Sequence, residues 1–171
     1  MSATPTDTYF VGHHDGLDID DETRQRLWND RRIAIHYPNT IAWKDWIAAA
    51  DQTPDSESLN PADYEMRERR AIEALVALAE TGGYVWAQHL GYKQAVLGFV
   101  PPQSNIELFK GKWGARCGLR GRTAILKTLR LTKVKFVNPA DYAVLADSRP
   151  PLTTITRWRA AKSTVKDLVE G

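Results

Sequence analysis

The sequence predicts an α+β domain built around a small curved or closed β-barrel, with helices flanking it. Three observations carry that prediction. Strand-like and helix-like segments follow the order strand, helix, strand, helices, then about four strands, then helices, an arrangement typical of α+β domains. The stretch 84–137 is rich in β-branched and aromatic residues and is cut by Gly and Pro at strand-length intervals. The longest strand candidate, AILKTLRLTKVKFV (124–137), changes its apolar phase part-way: Leu129 and Leu131 share one parity, Val134 and Phe136 the other. A bulge near Thr132–Lys133 reconciles the halves and supplies the curvature that a small barrel needs.

Residues 1–7 read as a disordered start, and 8–171 as a single domain whose end, 139–171, is helical. TYFVGHH (8–14) reads as a short aromatic strand. DIDDETRQRLWND (18–30) reads as a helix, with acids crowding the end where the macrodipole favours them. RRIAIHYP (31–38) alternates Ile33, Ile35 and Tyr37 on one face and is closed by Pro38, so it is a second strand. TIAWKDWIAAA (40–50) sets Trp43, Trp46 and Ile47 at i, i+3 and i+4, a short helix, and DQTPDSESLN (51–60) is a polar loop.

The pentapeptide NPADY occurs at 60–64 and again at 138–142. Asn at the N-cap, Pro at the first helical position and Asp in the first turn make each copy a helix start; the flanks differ, so this is not an internal repeat. The first opens a helix over about 62–80, with Ile72, Leu75, Val76 and Ala79 on its apolar face and TGG (81–83) as its stop. YVWAQHL (84–90) and QAVLGFV (94–100) form two strands turning at Gly91–Tyr92–Lys93, and IELFKGKW (106–113) forms another. The second NPADY starts a short helix, 139–146. TTITRWRAAKSTVKDLVEG (153–171) reads as a terminal helix packing through Ile155, Trp158, Val165 and Leu168.

With 171 residues the chain can bury a core without disulfides. No apolar run approaches the ~20 residues that span a bilayer, so no membrane partner is expected. The N-terminus lacks the pattern of a signal peptide. A single cysteine, Cys117, fits a reducing cytoplasmic setting. The net charge of +2 conceals an asymmetry: residues 1–80 carry 8 Lys/Arg against 16 Asp/Glu, and residues 81–171 carry 15 against 5. One side of the molecule therefore attracts anions.

From Lys110 to Lys135 the chain has nine basic residues and no acid: Lys110, Lys112, Arg116, Arg120, Arg122, Lys127, Arg130, Lys133 and Lys135. Concentrated cations of this kind are the electrostatic footprint of a nucleic-acid surface. Within KGKWGARCGLRGR (110–122), glycines let the backbone approach a phosphate and arginines add charge-assisted hydrogen bonds. A strand rather than a helix follows, so this is neither a P-loop nor a dinucleotide fingerprint.

Aromatic residues supply the second requirement, a stacking surface. Tyr37, Trp43 and Trp46 gather beside His36 and Asn39, and Trp86 lies on a strand where it faces either core or groove. A base stacks on such rings while polar groups read its edge. His13 and His14 are adjacent on a strand and point to opposite faces, and His36 and His89 lie on other strands. That spacing gives no metal site, and neither a metal nor another cofactor is expected.

TYFVGHH, the helix ending in LWNDRRIAIHYP, the aromatic segment, a further helix and GGYVWAQHLGYKQAVLGFV together resemble the PUA-like superfamily. The similarity is to its EVE and YTH-like branches and to related modules of modification-dependent restriction systems. The matching features are Trp28 before the strand Ile33–Tyr37, and the G-x-V element within Leu97–Val100, over residues 8–137. The resemblance implies a small β-barrel that holds a flipped, often modified, base in an aromatic cage, with basic loops on the nucleic-acid backbone. Carried over, the pocket falls near His13, His14, Tyr37, Trp43, Trp46 and His89. The long 38–63 connection departs from the family pattern, and the terminal helices lie outside it.

The expectation is therefore a non-enzymatic reader of nucleic acid, DNA or RNA, working with an effector protein or domain. The alternative is a small nucleotide-acting enzyme or nucleotide sensor that uses the strand-end histidines, with Arg116 and Arg120 on phosphate.

Overall fold

The computed structural model describes residues 7–11, 19–35, 60–63, 66–88, 94–114, 121, 123–143, 155–161 and 163–171. Strands β1 (Thr8–Val11), β3 (Gly83–Gln88), β4 (Ala95–Val100), β7 (Thr132–Val137) and β8 (Ile155–Arg157) form one sheet, ordered β7-β4-β3-β1-β8. Strands β2 (Arg32–Ile35), β5 (Glu107–Lys112) and β6 (Thr123–Arg130) form a second, ordered β2-β6-β5. All neighbours are antiparallel except β1 and β3, which run parallel. Helices α1 (Asp21–Asn29) and α2 (Met66–Thr81) lie, with β2, in the crossover between β1 and β3, and α3 (Thr164–Glu170) ends the chain.

The fold is α+β, as the sequence predicts, but the described strands form two sheets and no closed barrel. The expected single strand over 124–137 is two strands in different sheets, with Leu131 at the crossing. The expected irregularity is present: the β4–β7 register shifts between Leu97 and Phe99, and Lys133 has φ 54°. A Cβ on Gly98 would stand 2.9 Å from the Leu131 Cβ, so the absence of a side chain lets the chain cross there. The phase change in the sequence thus records a passage from sheet to sheet.

The inner strands of both sheets, β1, β3, β4 and β6, are covered on both faces. Ile33, Ile35 and Leu129 share a core with Tyr9, Val11, Val85 and Val96, and with Ile72, Leu75 and Leu78 of α2. The other face of the three-stranded sheet packs Ala34, Ala124, Leu126 and Phe109 on Ile19 and Leu27 of the α1 region. The other face of the five-stranded sheet packs Phe10, Tyr84, Trp86 and Leu97 on Trp158, Ala161, Val165 and Val169. Strands with two buried faces read as continuous apolar runs, not as alternation.

Local chemistry sets the ends of the elements. Asp20 caps α1 by accepting from the Thr23 amide at 2.8 Å. In both NPADY copies the Asn side chain accepts from the amide two residues on, Ala62 at 3.1 Å and Ala140 at 3.0 Å, and a 3-10 turn follows. Gly82 (φ 73°) ends α2 by donating its amide to the Leu78 carbonyl. The sequence 153–171 is not one helix. Ile155–Arg157 pairs with β1 as an edge strand, Arg159–Ala161 is a 3-10 turn, and only Thr164–Glu170 is α-helical. The β-branched run Thr153–Thr156 favours the strand.

Candidate anion-binding surface

Strand β5 separates its side chains by parity. Phe109 and Gly111 face α1, and Trp113 just beyond the strand joins the same core, while Lys110 and Lys112 are exposed on the opposite face. Contact on the α1 side is close: a Cβ on Gly111 would run into the Thr23 side chain, whose hydroxyl accepts from the Lys112 amide at 3.0 Å. The acids at the start of α1 therefore belong to the other side of the sheet from the two lysines. Neither Lys110 nor Lys112 has an ion-pair partner among the described residues.

The other described cations of the basic run are engaged within the protein. Lys127 is fully buried, on the same sheet face as its cross-strand neighbours Ile35 and Leu108, and it makes an interaction inside the molecule. It does not reach the surface, which corrects its expected role on phosphate. The Arg130 guanidinium pairs with Glu107 at 2.9 Å, and Arg32 lies 3.6 Å from the same carboxylate. Arg32 also donates to the Thr128 hydroxyl at 2.7 Å. Lys133 pairs with Glu170 at 2.7 Å, and the Lys135 ammonium donates to the Leu168 carbonyl at 2.8 Å. Lys133 and Lys135 thus fasten α3 to β7, and Lys135 caps one of the helix's last carbonyls.

Trp86 belongs to the core, a correction to its place in the expected base pocket. It is fully buried on β3, an inner strand, and meets Trp158 and Tyr142 edge-on at 5.7 and 6.3 Å. His13, His14, His36, Tyr37, Asn39, Trp43, Trp46, His89, Arg116, Arg120 and Arg122 lie outside the described residues, as do Cys117, residues 1–6 and the turn 91–93.

The structure also gathers cations that the sequence does not bring together. A cleft of ≈ 340 Å³ is lined by Asp7, Thr8, Arg157, Trp158, Arg159, Ser163 and Lys166. It forms because β8 pairs with β1, setting Arg157 opposite Tyr9. A helix over 153–171 would point Arg157 and Arg159 to opposite sides, so the sequence carried no signal for this cleft.

The chain matches no protein-family model and no curated protein. The resemblance to the PUA-like superfamily therefore stands on the quoted motifs. Among the described residues no helix is long and apolar enough to cross a membrane.

Proposed function

We propose that the protein is a nucleic-acid-binding module. It grips phosphates with β5 and the basic loop that follows, and it receives one base in an aromatic pocket drawn from Tyr37, Trp43 and Trp46. The observation that carries this reading is the condition of Lys110 and Lys112: exposed, on the sheet face away from α1, and without an ion-pair partner among the described residues. Their charge is available to an external anion, whereas Arg130 and Lys133 direct theirs to Glu107 and Glu170. The chain runs from β5 towards Arg116, Arg120 and Arg122, which extend the acid-free series. Phosphate contacts supply affinity, and the pocket supplies selectivity.

Lysines on an edge strand also discourage unwanted strand pairing, and one experiment separates the two roles. Lys110→Gln with Lys112→Gln is compared with the parent chain by fluorescence anisotropy on labelled single- and double-stranded oligonucleotides at low salt. The reading predicts a loss of about tenfold or more in affinity. Unchanged affinity together with self-association of the variant assigns the lysines to edge protection and rejects the phosphate grip. On the same reading, Trp43→Ala or Trp46→Ala weakens binding by about 1–3 kcal/mol, the worth of one stacked base.

A further inference from the structure

The cleft beside β8 has the composition of a site for a compact dianion. Three cations reach it from three elements: Arg157 from β8, Arg159 from the 3-10 turn and Lys166 from α3. Asp7 is the one carboxylate in the lining, 3.5 Å from Arg157, which leaves two positive charges in excess. Arg159 and Lys166 make no ion pair among the described residues. Ser163 adds a hydroxyl that can donate to an anion. Trp158, only 2% exposed and packed edge-on against Phe10 and Trp86, closes the floor. The volume lies at the small end of the range for ligand sites, about 300–1,000 Å³.

The frame around the cleft is held in place. The Trp158 amide donates to the Thr8 carbonyl at 2.7 Å, fixing β8 beside β1. Helix α3 is held by Lys133 and Tyr84 on Glu170, and by Lys135 on Leu168. Cations displayed on a fixed frame lose less freedom on binding than cations on a mobile chain.

We propose that this cleft binds a phosphomonoester. A phosphomonoester carries close to two negative charges at neutral pH, and its terminal oxygens match the planar fork of a guanidinium. An internal phosphodiester carries one charge and two ester substituents, and it matches a floored cleft with two excess positive charges less well. The phosphomonoester belongs either to a free nucleotide or to the phosphorylated end of a strand. The inference does not depend on the role of Lys110 and Lys112.

Titration calorimetry of the full chain with inorganic phosphate, a nucleoside 5′-monophosphate and the unphosphorylated nucleoside tests it. The expected result is binding of phosphate and of the monophosphate, with the nucleoside at least about tenfold weaker than the monophosphate, since it lacks the charge-assisted contacts. Arg159→Gln with Lys166→Gln should weaken the monophosphate about tenfold or more without shifting the melting temperature. Should that double variant melt early, Arg159→Gln alone carries the comparison. Equal affinity for nucleoside and monophosphate, no binding of either phosphate probe, or an unaffected variant overturns the proposal.

Paired oligonucleotides with a 5′-phosphate or a 5′-hydroxyl then identify the source. A preference for the phosphate that vanishes in the Arg159/Lys166 variant and persists in Lys110→Gln/Lys112→Gln assigns the site to strand ends. Monophosphate binding with no such preference assigns it to a free nucleotide. Retained monophosphate binding with no oligonucleotide binding rejects the β5 reading alone.

Discussion

Gly111 shows how much one missing side chain decides. Any Cβ there meets the Thr23 methyl and hydroxyl, so α1 can lie on β5 only over a glycine. Gly111→Ala must push α1 away or distort the strand, a form of overpacking that costs about 1–3 kcal/mol. Thermal melts should show the loss, and Thr23→Ser, which removes the nearest methyl, should restore part of it. Gly82 is constrained differently: its φ of 73° is strained for other residues, and a Cβ would stand 2.7 Å from the Val100 carbonyl. Gly82→Ala should lower the melting temperature with native secondary structure retained in circular dichroism. Glycine is visible in a sequence, but the atom that requires it is not. Likewise Lys110 and Lys127 come from one acid-free run and lie on one sheet face, and only the place of their strands, β5 at the edge and β6 inside, makes one exposed and the other buried.

The anchoring of α3 is the clearest case at the scale of an element. Hydrogen bonds from the Lys133 ammonium and then from the Tyr84 hydroxyl hold the Glu170 carboxyl below its ordinary value of 4.5. A carboxyl lowered by folding contributes stability above its unfolded pKa, and loses it as pH falls through the folded value. Burial, then the hydrogen bond to Glu170, pushes Tyr84 up from 10.0 to about 12. That contribution is complete below pH 10.0 and fades as pH rises towards 12. Glu170→Gln should therefore lower the melting temperature at neutral pH, and the gap to the parent chain should close as acidification below 4.5 protonates Glu170 in the folded chain. A gap that persists at low pH would remove Glu170 from the clamp. Much at this scale was legible before any coordinates. The two NPADY starts, the TGG stop and the irregularity beside Lys133 follow from local chemistry, and local chemistry is what a sequence states. The strand at Ile155–Arg157 was hidden because it exists through pairing with β1, nearly 150 residues away in sequence, while the helical spacing of Trp158, Val165 and Leu168 pointed to a helix. The continuous apolar inner strands gave no hint of two sheets, because they are buried on both faces.

At the scale of the molecule, the excess of positive charge in residues 81–171 divides into cations that hold the fold and cations that remain available. Arg130, Lys133 and Lys135 clasp neighbouring elements and Lys127 is interior, whereas Lys110, Lys112, Arg159 and Lys166 make no ion pair among the described residues, although Lys166 feels the charge of Glu170. Counting charges along the chain found the β5 series but could not make this division, and it missed the cleft, whose lining runs from Asp7 to Lys166. The central claim is that the available cations meet nucleic-acid phosphates, and the salt dependence of binding tests it most directly. Released counterions make log K fall linearly with log salt, by about 0.7 per phosphate contact on a single strand. The reading predicts a steep line for the parent chain and a line shallower by about 1 or more for Lys110→Gln/Lys112→Gln. A flat line, or equal slopes for the two proteins, would contradict it.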